Sequence, residues 1–228
     1  MTNRHTPVKI LIVDDHPMVR EGMAMRISGQ RDLEVCGEAA TEDEALALAK
    51  ETSPDLMIVD ISLKSGHGIG LIKQVTSRHP NVKMLVVSGF QESLYAERAL
   101  RAGALGYLNK QESSDKLIDA IRTVLNGERY VSPEMTRRLV AQALGTRDET
   151  KSPIEQLSAG ELEIFRMIGQ GQTSGVIANK LYLSTHTIDT HRENIKRKLG
   201  AHTAAELNRQ AVQWGAGKRL ISSAINRA

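Results

Sequence analysis

Apolar positions follow two alternating rhythms over the first 125 residues. Short runs rich in valine and isoleucine, at 8–13, 33–37, 55–59, 83–87 and 106–108, are apolar throughout rather than at every second position. Uninterrupted runs of this kind fit strands covered on both faces. Between them, apolar residues recur at helical spacing. Val19, Met23 and Ile27 are four apart, and Ala45, Leu48 and Ala49 follow Thr41, an N-cap with Glu44 three residues on. Leu71, Ile72 and Val75 form the next stripe, Leu94 with the stem of Arg98 and residues 100–102 another, and Leu117, Ile121, Val124 and Leu125 the last. Five strand-and-helix repeats predict an α/β fold, a doubly wound five-stranded parallel sheet with helices on both faces.

After Gly127 the rhythm stops. Ser132 as N-cap and Pro133 at the first helical position open one more helix. Residues 145–156 are almost free of apolar side chains and predict a flexible linker. From Leu157 on no strand signal returns. Helical segments at 159–169, 173–181, 185–199 and 204–214, joined by short turns, predict a small all-α four-helix domain. The expected organisation is an α/β domain over 8–127, a linker helix and flexible linker over 128–154, a helical domain over 155–214 and a tail over 215–228.

Composition narrows the class. With 228 residues, 40% hydrophobic and 25% charged, the chain can bury a real core, which excludes wholesale disorder. No apolar run approaches the roughly 18 residues of a membrane span. Residues 1–9 are polar and lack the apolar stretch of a secretory signal, so the expected compartment is the cytosol, with no membrane partner. The single cysteine, Cys36, excludes an internal disulfide and a cysteine-based zinc site, and its strand-like surroundings predict a buried, inert thiol. Formal charge is uneven, −2 over residues 1–150 and +5 over 151–228, which points to a polyanion partner for the C-terminal part.

Chemistry gathers at the strand ends. Asp14 and Asp15 follow the first strand, Asp60 follows the third, Ser88 ends the fourth and Lys110 ends the fifth. In a parallel sheet these ends share one edge, the edge at which open α/β sheets bind ligands. Close carboxylates repel, and such an oxygen-rich cluster suits a hard cation, Mg²⁺. A metal, a lysine and a hydroxyl around one carboxylate make a site for phosphoryl transfer. Taken singly, Asp15 and Asp60 could equally cap a helix and a turn, and Lys110 could be a surface lysine.

The segments Val8-Lys9-Ile10-Leu11-Ile12-Val13-Asp14-Asp15-His16-Pro17, Met57-Ile58-Val59-Asp60, Val86-Val87-Ser88-Gly89 and Gly106-Tyr107-Leu108-Asn109-Lys110 resemble a two-component receiver domain. The resemblance implies the flavodoxin-like strand order 2-1-3-4-5 and a phosphoryl group accepted by Asp60 from a sensor histidine kinase. It implies Mg²⁺ held by Asp15 directly, by Asp14 in assistance, by Asp60 and by the backbone carbonyl of Ser62. Lys110 would pair with the phosphoryl group, Ser88 would turn its hydroxyl towards it, and Tyr107 would swing inward. One departure is visible: many receivers carry proline four residues after the acceptor, where this chain has Lys64, a change that could loosen the loop. Gly68 keeps its usual place.

In the helical domain, residues 173–199 have the organisation of a helix-turn-helix. Ile188, Ile195 and Leu199 share one face of the second helix, and His186, Thr190, Glu193, Asn194 and Arg197 lie opposite, with Lys196 and Lys198 on the flanks. That pattern fits a major-groove helix and equally an ordinary amphipathic helix. Leu157-Ser158-Ala159-Gly160-Glu161-Leu162-Glu163-Ile164, Ile177-Ala178, Leu183-Ser184-Thr185-His186-Thr187-Ile188-Asp189-Thr190-His191 and Lys198-Leu199-Gly200 resemble the LuxR-type DNA-binding domain. Joined to a receiver, this resembles the NarL/FixJ subfamily of response regulators.

The combined resemblance implies a transcription regulator that binds duplex promoter DNA through Thr185, His186, Thr187, Asp189, Thr190, Glu193, Lys196, Arg197 and Lys198. It implies a homodimer when phosphorylated or DNA-bound. Leu207, Ala211 and Trp214 lie at helical spacing, which fits a dimer face or simple core packing. Asp189, Thr190 and Glu193 stand where relatives often carry basic or small residues, and Gly175 replaces a better helix former, which bears on the target sequence. Two other readings remain open. A Mg²⁺-dependent phosphohydrolase would commonly carry a second aspartate two residues after its nucleophile, where this chain has Ser62. A pseudo-receiver working without phosphorylation would not need the five strand-end groups. The histidines predict no metal site, with His16 and His67 expected as loop residues.

Overall fold

The computed structural model describes residues 6–63, 68–112, 114–144, 153–181 and 183–225, with side chains from 216 onward and that of Ser114 left aside. The chain divides into two compact units, Met1–Arg147 and Asp148–Ala228.

The first unit is a parallel sheet of β1 (Val8–Val13), β2 (Leu33–Ala39), β3 (Leu56–Val59), β4 (Lys83–Ser88) and β5 (Gly106–Asn109). Its order is β2-β1-β3-β4-β5, as the resemblance to receiver domains implies. Helices α1 (Pro17–Ser28), α2 (Glu42–Thr52), α3 (Gly68–Arg78), α4 (Glu92–Ala102) and α5 (Ser114–Leu125) connect and cover it. Both faces are buried. Ile10, Ile12, Ile58 and Leu85 join a core with Ile27 of α1 and Ile121 of α5, while the alternate residues Leu11, Val13, Met57 and Val59 are also fully buried. Two buried faces explain why the strands read as continuous apolar runs. Local signals agree with the helix starts: Thr41 and Glu44 form a capping box on α2, and Ser132 accepts from the Met135 N–H at the start of α6 (Pro133–Ala143).

Register places the site. Val13 of β1 pairs with Val59 of β3, so Asp14 and Asp60 leave the sheet side by side. Ser88 of β4 pairs with Asn109 of β5, which sets Lys110 next in line.

The second unit contains a 3₁₀ turn at Pro153–Gln156 and α7 (Ala159–Gly169), α8 (Ser174–Leu181), α9 (Thr185–Leu199) and α10 (Ala204–Ile225). α10 packs on α7 so closely that a β-carbon on Gly169 would lie 2.4 Å from the carbonyl oxygen of Ala211. No described helix is long and apolar enough to cross a membrane.

Four expectations need correction. Residues 153–156 of the expected linker fold as the 3₁₀ turn, whereas 145–152 lie outside the described residues. The expected tail is helical through Ile225, as a continuation of α10. Cys36 is half-buried rather than buried, with its thiol 3.5 Å from Thr52 Oγ1. Leu207 and Ala211 have no exposed surface within one chain, and Trp214 stacks at a tilt on Phe165 with ring centroids 5.6 Å apart. Leu207 and Ala211 are core, because they face α7, and do not form an outward dimer face, whereas Trp214 is half-buried.

Candidate functional site

Asp14, Asp60 and Ser88 are buried polar groups at the carboxyl edge of the sheet. Lys110 Nζ stands 2.5 Å from Asp14 Oδ2 and 2.7 Å from Asp60 Oδ2, so one ammonium bridges two buried carboxylates. Burial works against the charge of Lys110, but Asp60 and Asp14 outweigh it and hold its pKa above the usual lysine value. The remaining oxygen of Asp60, Oδ1, is buried without a hydrogen-bond partner. Asp15 is half-buried beside the pair. Three carboxylates against one lysine leave the pocket short of positive charge, and donor atoms of Asp14, Asp15, His16 and Asp60 all lie within 4.8 Å of one another. An orphaned carboxylate oxygen in an oxygen-rich cluster fits a hard divalent cation. Ser62 is half-buried two residues past Asp60.

Two residues of this site escaped the sequence reading. His16 Nδ1 lies 2.7 Å from Asp15 Oδ1 and 3.3 Å from Asp14 Oδ1, which places in the cluster a histidine expected to be a bystander. Arg20 Nη1 donates to the carbonyl of Asp14 at 2.6 Å, while its Nε reaches Glu38 Oε2 at 3.3 Å. The signal for Arg20 was its place on the first turns of α1, where a side chain points back over the preceding loop. His67 and Lys64 lie outside the described residues.

Ser88 Oγ accepts from the Phe90 N–H at 3.4 Å. Tyr107 is already inward: it is 2% exposed, its hydroxyl donates to the Phe90 carbonyl at 2.9 Å, and burial holds its pKa far above the ordinary tyrosine value. Asn109 Nδ2 donates to the same carbonyl at 3.2 Å.

In the second unit, α8 and α9 form the helix-turn-helix, with Ser184 capping α9 through the Thr187 N–H. Ile188 and Ile195 are buried, and Thr185, His186, Asp189, Thr190, Glu193 and Arg197 face solvent. Thr187 and Lys196 are half-buried. Several of these side chains are engaged within the domain. Ser174 Oγ donates to Asp189 Oδ1 at 2.9 Å, Lys196 Nζ lies 3.0 Å from both Glu193 oxygens, and Arg197 donates to Asn194 at 2.9 Å. Lys198, expected on the DNA face, instead pairs with the buried Glu161 at 2.6 Å.

Residues 10–122 match the response regulator receiver domain, and residues 155–211 match the bacterial regulatory proteins of the luxR family. The chain is similar to the response regulator GacA of Pseudomonas protegens, with 33% identity over 91% of this chain and 97% of that protein. It is also similar to the oxygen regulatory protein NreC of Staphylococcus aureus, with 35% identity over 94% of this chain and 99% of that protein. Among solved structures, a LuxR-family two-component response regulator from Aurantimonas matches 61% of this chain and 99% of its own, with a TM-score of 0.56 and 32% identity. RcsB of Salmonella enterica, bound to promoter P1flhDC with the phosphomimetic BeF₃⁻, shares the fold over 90% of this chain and 98% of its own, with a TM-score of 0.70 at 24% identity. Fold and matches together define a signalling receiver joined to a helix-turn-helix. The chain belongs to the two-component response regulators of the NarL/FixJ type, a family of transcription regulators.

Proposed function

We propose that this regulator is switched by phosphorylation of Asp60, with a sensor histidine kinase as donor, and that the switch controls binding of the helix-turn-helix to promoter DNA. The observation that carries the reading is the Lys110 ammonium between Asp14 and Asp60, beside an Asp60 oxygen that has no partner. In the transfer, an Asp60 oxygen forms a bond to phosphorus as the bond from phosphorus to the donor imidazole breaks, and that imidazole nitrogen takes up a proton. Lys110 keeps its charge throughout and offsets the new phosphoryl charge. Ser88 turns its hydroxyl from the Phe90 N–H to a phosphoryl oxygen. Asp14, Asp15 and Asp60, with the Ser62 carbonyl, would hold Mg²⁺. When bound, Mg²⁺ supplies positive charge to the clustered carboxylates and phosphoryl oxygens.

The proposed division of the chain is a receiver over 8–127, a linker over 128–154 and a DNA-binding domain over 155–214, working in the cytoplasm. On α9, His186, Thr190, Glu193 and Arg197 present the exposed face suited to base edges and phosphates. A dimer on DNA, as described for RcsB, would use surface other than Leu207 and Ala211. The test is intact-mass measurement after incubation with a small phosphodonor and Mg²⁺. One phosphoryl group is expected on the natural chain and none on Asp60→Asn; equal incorporation by both overturns the assignment.

A further inference from the structure

We infer that Glu92 ties the phosphoacceptor site to the linker helix α6 through a closed hydrogen-bonded ring around Tyr107; this rests on the phosphorylation switch proposed above. Three short segments make the ring. The Tyr107 backbone N–H donates to the carbonyl of Tyr130 in the linker at 2.7 Å, and its hydroxyl donates to the carbonyl of Phe90 at 2.9 Å. Two residues past Phe90, Glu92 Oε1 accepts from the N–H of Ser132 at 2.8 Å. Ser132 lies two residues past Tyr130, so the ring closes. Tyr130 is further fixed by its N–H donating to the Leu105 carbonyl at 3.1 Å, and Gly106 and Tyr130 form a parallel bridge. The linker is thus laid against the edge of β5.

The ring touches the site at one end and α6 at the other. Ser88 Oγ, the hydroxyl that turns to the phosphoryl group, holds the Phe90 N–H. Ser132 is the N-cap of α6, its hydroxyl accepting from the Met135 N–H at 3.0 Å. When Ser88 turns away, Phe90 loses that bond, and residues 90–92 can shift only by carrying Ser132 along or by breaking its bond to Glu92. A bond to a carboxylate is stronger than one between neutral groups, so it transmits displacement rather than absorbing it. The α4 helix also reaches α6 through Gln142 Nε2, which donates to Glu97 Oε2 at 3.2 Å. Coupling of this kind is reciprocal: what strains the linker also biases the site. In this arrangement Glu92 is a positioning residue, acting on α6 through Ser132.

The experiment follows amide exchange of the 133–143 peptide in the full chain, with and without acetyl phosphate and Mg²⁺, while intact mass records phosphorylation. In the natural chain the donor should speed exchange in this peptide at least fivefold. Glu92→Ala should take up the phosphoryl group to within twofold of the natural extent, exchange fast from the start, and gain less than twofold from the donor. Glu92→Gln keeps an acceptor oxygen in a weaker, neutral bond and should give a donor response between those of the natural chain and Glu92→Ala. Ser132 has φ −61°, which proline adopts, so Ser132→Pro removes the N–H and the cap without straining φ at that residue. It should lose the donor response, whereas Ser132→Ala, which keeps the N–H, should retain it. A full donor response in phosphorylated Glu92→Ala and Ser132→Pro overturns the coupling. Failure of Glu92→Ala to be phosphorylated assigns Glu92 to the acceptor site and overturns its linker role. A natural chain that takes up no phosphoryl group overturns the switch itself, and mass shows this before any variant is compared.

Discussion

A β-carbon on Gly68 would lie 2.1 Å from the carbonyl oxygen of Asp60 and 2.7 Å from Cα of Ile61. The Gly68 N–H donates to the Ile61 carbonyl at 3.0 Å, so the first residue of α3 is pinned against the acceptor's own backbone. Any side chain there must displace the Asp60 segment or the start of α3. Gly68→Ala is expected to lower stability by about 1–3 kcal/mol. It should also cut phosphate incorporation at Asp60 by at least tenfold, read by urea unfolding and intact mass. Incorporation at the natural rate would show that the loop relaxes without moving Asp60.

Lys110→Ala removes the ammonium that bridges two buried carboxylates. A strand-end lysine viewed in sequence suggests little effect on folding, but the burial of its partners changes that expectation. Leaving a buried charge unpaired is strongly destabilising, here by about 2–4 kcal/mol at neutral pH after allowing for solvent access to Lys110. Asp60→Asn in the same background should recover much of the loss, because it removes the repulsion between Asp14 and Asp60. Strict additivity in the double-mutant cycle would contradict the bridge.

Glu161 links the DNA-binding unit to pH. Burial raises its pKa, but the Lys198 ammonium and the N–H and hydroxyl of Ser158 outweigh that and hold it below the ordinary 4.5. A carboxylate depressed in the folded state stabilises fully above its unfolded pKa and loses that contribution as pH falls through its folded pKa. The second unit should therefore weaken below about pH 4.5. Trp214, the single tryptophan, packs on Phe165 and reports this unit alone by fluorescence. The gap in melting temperature between the natural chain and Glu161→Gln should be constant from pH 7 to 5 and shrink below that. A gap independent of pH down to 3 would remove the pair with Lys198 from the account.

Glu193 and Lys196 are paired on α9, so their DNA roles are not independent. Glu193→Ala frees the Lys196 ammonium for a phosphate. Non-specific affinity should rise, and the salt dependence should steepen by about one phosphate contact. Preference at one base pair should change by about 1–3 kcal/mol where a carboxylate would accept from cytosine. Titrations on unrelated duplexes at several salt concentrations read the first effect, and a randomised-site selection reads the second. An unchanged salt slope would mean that Lys196 never reaches the backbone.

The sheet was legible because its cause is local and repetitive. Strands buried on both faces must be apolar at every position, so Ile10, Leu11, Ile12 and Val13 announce β1 without any knowledge of their neighbours. The caps at Thr41 and Ser132 are legible for the same reason, each bond spanning three residues. Asp14, Asp60, Ser88 and Lys110 were placed together because parallel strands deliver their carboxyl ends to one edge.

Other facts depend on contacts between residues far apart in the chain, which no local pattern encodes. α10 shows a helical stripe at Leu207, Ala211 and Trp214, and a stripe alone cannot say whether it faces a second chain or its own core. Gly169 decides it, because only a residue without a β-carbon lets Ala211 approach so closely. Lys198 is one of several basic residues at the end of α9 until Glu161, 37 positions earlier, is folded against it. Ser132 and Glu92 are ordinary helix-start residues until Tyr130 is laid along β5. Periodicity determined the two domains and the acidic edge, because burial imposes the pattern residue by residue, whereas the strand order came from the resemblance to receiver domains. Which charges are already paired, which helix faces are spent on the core and what the linker touches were decided only in three dimensions, where hydrogen bonds and close packing join segments that sequence distance separates.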